Sequence, residues 1–142
     1  MRKGFTILEL LIVVAIIGII ASMAIPDLIK ASLAAKETAA VKAISTVHTA
    51  QAQYYSQFGR HAASLSELGP PAAGADLIGR DLAGGEKGGY HFELRPQPAG
   101  YVLQARPTTF GSTGRCTYYS DQTLRIHRNW GSEPATAESP EL

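Results

Sequence analysis

Residues 5–26 read FTILELLIVVAIIGIIASMAIP, an apolar run that contains one ionisable side chain, the carboxylate of Glu9. The 21 residues from Phe5 to Ile25 would form a helix about 30 Å long, which matches the hydrocarbon thickness of a bilayer. A carboxylate in such a helix costs roughly 2.5–3.5 kcal/mol at the bilayer centre and less near an interface. The stretch therefore predicts a membrane-spanning helix in which Glu9 needs a partner.

The charges that flank this run predict its orientation. Arg2 and Lys3 precede it, and the next basic residue is Lys30. Because basic residues favour the cytoplasmic side, we expect a cytoplasmic N-terminus and a domain outside. A secretory signal peptide is the alternative, since the small residues at 21–24 resemble a cleavage site.

The helical pattern continues beyond Pro26 to about residue 58, and Gly59 is expected to end it. Pro26 should bend the helix because proline lacks a backbone donor, and Gly18 is a second softening position. The second half of the helix is amphipathic. Its apolar stripe, at steps of three and four residues, consists of Ala40, Ile44, Val47, Gln51, Tyr54 or Tyr55, and Phe58.

The remaining chain predicts a small antiparallel sheet. Residues 59–89 are rich in glycine and proline and form a surface connector, with short turns expected at 64–68 and 75–78. Alternating residues predict four strands within 90–128: 90–95 and 101–106 joined by a five-residue loop, then 115–119 and 124–128. The amphipathic half-helix would cover the apolar face, giving an α+β domain over residues 27–131. Residues 132–142, with three glutamates and two prolines, predict a flexible acidic tail.

Composition and motifs argue against an enzyme. The 142 residues carry 13 Lys and Arg against 12 Asp and Glu, so no global basic field indicates nucleic acid. The single cysteine, Cys116, excludes an internal disulfide, and no phosphate-binding, dinucleotide or hydrolase motif is present. No cofactor or metal is predicted: Asp121 is interpreted as a turn residue, and no ligand spacing connects the histidines His48, His61, His91 and His127.

Four arginines on the predicted strands leave one alternative open. They are interpreted as solvated strand residues, and the alternative is a basic strip that contacts DNA or another surface. These residues are Arg106, Arg115, Arg125 and Arg128.

The segment from Lys3 to Glu9, KGFTILE, followed by an apolar helix, strongly resembles the start of type IV prepilins and of the related type II secretion pseudopilins. The resemblance is specific over about the first 30 residues and includes Gly18 and Pro26 as the helix-softening positions of that family. Residues 119–123 resemble the last hairpin turn of short bacterial pilins, with Leu124 standing where a glycine is common.

The resemblance implies a pilin-like fold and a defined processing site. Residues 1–4 would be a leader, which a membrane prepilin peptidase removes by cutting between Gly4 and Phe5 before methylating the amine of Phe5. Glu9 would then pair with that amine on a neighbouring subunit. Two opposite charges about 4 Å apart attract by about 4 kcal/mol at an effective dielectric of 20, which is comparable to the insertion cost.

We therefore interpret the chain as a structural subunit of a type IV pilus-like filament, used in adhesion, twitching motility or DNA uptake. The implied partners are further copies in a helical filament, the peptidase, an inner-membrane assembly platform and membrane lipid. The subunit would cross the inner membrane once before assembly and lie in an extracellular pilus or a periplasmic pseudopilus afterwards. The alternatives are a type II secretion pseudopilin, a membrane-anchored binding domain that does not polymerise, and, disfavoured by the missing motifs, a secreted enzyme.

Overall fold

A computed structural model describes residues 4–71 and 74–142, so Met1, Arg2 and Lys3, with their predicted roles in the leader and in topology, lie outside the described residues. The chain divides into two compact units, Met1–Ser32 and Leu33–Leu142. Its helices and strands are α1 (Ile7–Phe58), α2 (Leu65–Leu68), α3 (Arg80–Ala83), β1 (Glu86–Lys87), β2 (Tyr90–Gln97), β3 (Gly100–Pro107), β4 (Cys116–Asp121) and β5 (Ile126–Trp130).

The first unit consists of the apolar part of α1. Its large apolar side chains are exposed, and the helix has a stretch long and apolar enough to cross a membrane, with a mean hydropathy of 2.7. The helix continues without a break through Gly18 and Pro26. Their proposed softening of the helix therefore stays a prediction about its mechanics.

The second unit packs the amphipathic part of α1 on one face of an antiparallel sheet with the order β1-β2-β3-β4-β5. This confirms the α+β, pilin-like fold, but the sheet has five strands and not the four expected. The additional strand, β1, lies in the predicted connector and pairs with β2 through Glu86–His91 and Lys87–Tyr90. A two-residue strand between glycines has no periodicity that a sequence pattern could reveal.

The predicted stripe of α1 forms the helical side of the core. Ala40, Ile44, Val47 and Gln51 are buried. Tyr54 is the buried tyrosine of the two candidates, whereas Phe58 is 55% exposed and rests on the Tyr54 ring at a centroid distance of 4.4 Å. The sheet contributes alternate residues of β2, β3 and β4, which are Tyr90, Phe92, Leu94, Tyr101, Leu103, Ala105, Cys116 and Tyr118.

The hairpins differ from the sequence prediction in their turns. The β2–β3 ladder extends to the pair Gln97–Gly100, so the turn is two residues and not five. The last strand begins at Ile126 and not at 124, because Leu124 adopts the left-handed conformation with φ +67°. Asp121 accepts hydrogen bonds from the backbone N–H and the hydroxyl of Thr123, at 2.9 and 2.6 Å, which confirms its role in a turn.

Residues 132–142 contrast with the flexible tail expected from their composition. The Thr117 hydroxyl donates to the Glu133 carbonyl at 2.6 Å, and Ala135 is buried. The Arg128 N–H donates to the Pro140 carbonyl and the Leu142 N–H to the Ile126 carbonyl, both at 2.8 Å. The segment therefore covers the free edge of β5. The backbone groups of that edge bind residues 132–142, and the composition of the segment alone does not reveal this contact.

The connector that follows α1 is held in place by hydrogen bonds from side chains at and just after the end of the helix. Gly59, with φ +68°, ends α1 as expected, and its N–H donates to the Tyr55 carbonyl at 2.8 Å. The predicted turn at 64–68 is present as α2, whereas the second short helix, α3, lies beyond the predicted turn at 75–78. Glu67 of α2 accepts from the Tyr54 hydroxyl and from Arg60, both at 3.0 Å.

His48 joins α1 to the sheet through two hydroxyl groups. Its Nδ1 lies 2.5 Å from the Tyr101 hydroxyl and its Nε2 lies 2.7 Å from Ser120 Oγ. Because Ser120 donates its own proton to the Arg125 carbonyl at 2.6 Å, Nε2 must donate to Ser120 and Nδ1 must accept from Tyr101. The neutral form of this buried imidazole therefore makes a hydrogen bond with each of its two partners.

Acid should weaken this junction. Burial lowers the pKa of His48 below its ordinary value of 6.5, so the unfolded chain binds a proton at a higher pH than the folded one. The stabilisation is present above pH 6.5 and is lost as the pH falls through the folded-state pKa. We expect the free energy of unfolding, measured with urea in detergent micelles, to decline below pH 6.5 in the native chain and to decline less in His48→Gln. His91 lies on the other face of the sheet, so His91→Gln should leave the pH dependence of the free energy of unfolding unchanged.

Candidate functional site

The residues around Glu9 form a capping box at the N-terminus of α1. The backbone N–H of Thr6 donates to Glu9 Oε2 at 3.0 Å, and the backbone N–H of Glu9 donates to Thr6 Oγ1 at 3.2 Å. The Thr6 hydroxyl also donates to Glu9 Oε2 at 2.8 Å, and the Thr6 carbonyl accepts the first helical hydrogen bond from Leu10. Thr6 is therefore the N-cap and Glu9 the third residue of the helix.

This geometry gives the Glu9 carboxylate a partner within its own chain. Helix N-termini leave backbone N–H groups unpaired and carry a partial positive charge, so a carboxylate in the first turn is stabilised there. The partner of Glu9 that the sequence resemblance implies lies on another subunit. The pattern T-x-x-E at residues 6–9 was a signal for this contact, since it is typical of a capping box.

The predicted processing residues lie just before the helix. Gly4 and Phe5 are non-helical and exposed, and the Phe5 side chain is 84% exposed. A β-carbon added at Gly4 would meet no atom within 4 Å, so nothing in the described chain shields the backbone there. The Gly4–Phe5 bond is thus in an accessible segment, and cleavage at this bond remains a prediction.

Other features of the described chain do not join this site. Among residues 4–71 and 74–142, no group of three or more His, Cys, Asp or Glu side chains is arranged to hold a metal. A small cavity of about 80 Å³ lies on the outer face of the sheet in the second unit, where His91, Glu93 and Arg106 line it together with Pro134. The candidate site is therefore the start of α1, where Thr6 has a role that was not predicted from the sequence.

Comparison with known proteins gives matches that concentrate on this segment. Residues 1–25 match the family model described as the prokaryotic N-terminal methylation motif. The chain is similar to the type IV major pilin protein PilA of Myxococcus xanthus, with 42% identity over 68 residues, which are 48% of this chain and 31% of the relative. It is also similar to a fimbrial protein of Pseudomonas aeruginosa, with 49% identity over 49 residues, which are 34% of this chain and 32% of the relative.

A third relative extends the match further into the chain. The type IV major pilin protein PilE1 of Neisseria gonorrhoeae is 30% identical over 80 residues, which are 56% of this chain and 48% of the relative. The chain thus spans between about a third and a half of the length of these curated relatives, and no solved structure matches it. The start of the chain therefore carries the prokaryotic N-terminal methylation motif, and about half of the chain is similar to type IV major pilins.

Proposed function

We propose that this chain is a non-enzymatic structural subunit of a type IV pilus-like filament. It is inserted in the inner membrane by the apolar part of α1, cut between Gly4 and Phe5 by a prepilin peptidase, and N-methylated on Phe5. An inner-membrane platform then assembles it into a helical filament with further copies of itself. The observation that carries the proposal is the methylation motif over residues 1–25, with Glu9 as the one carboxylate of the apolar segment.

Glu9 would supply the assembly contact. Cleavage creates a positive amine at Phe5, four residues before the carboxylate. In the separate subunit the carboxylate rests on the Thr6 hydroxyl and N–H, which lowers the cost of holding the charge in lipid. In the filament the amine of a neighbouring Phe5 would provide a full positive charge, a stronger partner than the two neutral donors. The capping box would therefore hold Glu9 until a neighbouring subunit arrives.

The relatives favour a pilus over a secretion pseudopilus, since two of the three named above are described as major pilins and the third as a fimbrial protein. The distinguishing observation is the location of the filament. Antibodies against the second unit should label long surface fibres if the chain forms a pilus. Labelling confined to the periplasm would instead assign it to a pseudopilus.

We expect the mature protein to begin at Phe5 with a methylated amine. Mass spectrometry of protein isolated from membranes should show loss of residues 1–4 and the addition of one methyl group. The physical reason is that Gly4 and Phe5 lie outside the helix in an exposed segment, where a peptidase can approach the backbone. A mature chain that begins near Asp27 would contradict the proposal and indicate a signal peptide.

Gly4→Val tests the same cleavage by changing the residue next to the scissile bond. A β-branched side chain next to the scissile bond should block the close approach of the peptidase, leaving the uncut chain in the membrane. Because a β-carbon at Gly4 meets no atom of the described chain, the variant should fold like the native protein. If the Gly4→Val chain is cut normally, the peptidase does not require a glycine at this position.

A further inference from the structure

One end of the sheet in the second unit brings together exposed aromatic residues and half-buried basic residues. At this end β5 finishes with Trp130, which pairs with Cys116 at the start of β4. The same end meets the first turns of α1 within the unit, since Arg115 bonds to Glu37 and Lys36 Nζ donates to the Ser112 carbonyl at 3.4 Å. We call this surface the basal surface, formed by Lys36, Phe110, Arg115, Arg128 and Trp130.

The aromatic side chains of the basal surface are exposed despite their size. Trp130 is 59% exposed and Phe110 is 50% exposed. Two guanidinium groups lie over the indole of Trp130, that of Arg128 at 4.5 Å from the ring centroid and that of Arg115 at 5.7 Å. An amphipathic ring held beside cations is typical of residues at the boundary between membrane and water.

The charges of the basal surface are unevenly compensated. Arg115 is neutralised by Glu37, with Nε 3.1 Å and Nη2 3.2 Å from its two carboxylate oxygens. Burial raises the pKa of Glu37, but the hydrogen bonds from Arg115 outweigh it and hold the pKa below its ordinary value. Within the described residues, Lys36 and Arg128 form no salt bridge, so both cations stay available to an external anion.

Chain connectivity keeps the basal surface close to a bilayer. Lys36 follows Pro26, the last residue of the apolar run, by only ten residues. Even a fully extended chain of that length reaches no further than about 36 Å. The chain therefore limits the distance between Lys36 and the end of the apolar run to about 36 Å.

We propose that the basal surface docks on anionic lipid head groups beside the membrane anchor before the subunit is assembled. Trp130 and Phe110 would enter the head-group region, while Lys36 and Arg128 would bind lipid phosphates. The inference rests on the membrane anchoring in the proposed function and does not depend on cleavage or on filament formation. Docking would hold the second unit against the membrane until assembly releases it.

Trp130 is the only tryptophan of the chain, so its fluorescence reports this surface directly. The full chain would be reconstituted in phosphatidylcholine vesicles with and without phosphatidylglycerol, each containing brominated lipid as quencher. We expect a shift to shorter wavelength and strong quenching in the anionic vesicles only, and reversal of both by high salt. Lys36→Gln, which leaves the Trp130 contacts intact, should weaken docking about fivefold. Arg95→Gln removes a charge from an exposed residue elsewhere on the sheet and should have no effect.

Three results would overturn the proposal. Equal spectra in anionic and neutral vesicles would show that head-group charge is not recognised. A shift in neutral vesicles that grows with the protein-to-lipid ratio would assign the basal surface to a second copy of the chain. Quenching by a single-stranded oligonucleotide in micelles, without a response to anionic lipid, would assign the surface to nucleic acid. Because the uncut chain is used, failure of the proposed cleavage or assembly would leave these results unchanged.

Discussion

Glu9→Gln will enter the membrane and be cut like the native chain, but its filament yield will fall by a factor of about 100 or more. Removing one partner of a buried ion pair costs about 3–5 kcal/mol, and 1.4 kcal/mol corresponds to a factor of ten in an equilibrium constant. Glutamine is equally accepted at the third position of a capping box, so the contacts with Thr6 can be retained. The variant therefore removes the charge and keeps the helix start. Filament yield is measured as the fraction of the protein in sheared surface material relative to the membrane fraction.

Thr6→Val is the converse variant, because it removes the hydroxyl that caps the helix and keeps the carboxylate of Glu9. Loss of an N-cap costs about 1 kcal/mol, so filaments should still form, with a modest decrease in yield. Normal filament yield in Glu9→Gln would contradict the pairing of Glu9 with the Phe5 amine. If both variants lost filaments equally, assembly would require the cap as well as the charge.

Gln51→Leu will destabilise the second unit by about 2–6 kcal/mol, even though leucine is apolar and similar in volume. Gln51 is fully buried, and its side-chain amide makes two hydrogen bonds to the backbone of one residue. Its Nε2 donates to the Ala62 carbonyl at 3.1 Å, and its Oε1 accepts from the Ala62 N–H at 2.9 Å. Leucine would leave both backbone groups buried without a partner, and each such group costs about 1–3 kcal/mol. The free energy of unfolding, measured with urea, gives the loss.

Gln53→Leu is the matched control, since it makes the same change two residues away on the exposed side of α1. An exposed substitution of this kind usually changes the free energy of unfolding by less than about 0.5 kcal/mol. If the two variants unfold at the same urea concentration, the Gln51 contact with Ala62 does not hold the connector in place.

The fold was predictable wherever a period or a local motif extends over several turns. The apolar run of residues 5–26 and the stripe of α1 follow from the helical period, and the stripe residues from Ala40 to Tyr54 are buried as predicted. Gly59 could be assigned because a glycine after an amphipathic helix commonly adopts the left-handed conformation. The role of Thr6 as the N-cap could equally have been predicted from the sequence, because a capping box is a local pattern.

The features that could not be predicted depend on contacts between distant or irregular segments. Gln51 fits the stripe, but its partner Ala62 lies in a connector without periodicity. β1 exists only because β2 provides a neighbour, and residues 132–142 are ordered by the edge of β5. The prediction that the last strand begins at residue 124 was wrong, because Leu124 adopts the left-handed conformation, which is usually found at glycine.

The segment 132–142 has a consequence for the behaviour of many copies in one membrane. Exposed strand edges allow sheets of neighbouring molecules to join side by side, which leads to aggregation. Here the β5 edge of the sheet is covered by hydrogen bonds to residues 140 and 142, whereas at the other edge β1 pairs with only two residues of β2, Tyr90 and His91. The β5 edge therefore offers little backbone to the sheet of a neighbouring molecule, and the more open edge is the part of β2 beyond Phe92. A truncation before residue 132 would expose the backbone groups of β5, and we expect it to make the second unit more prone to aggregation.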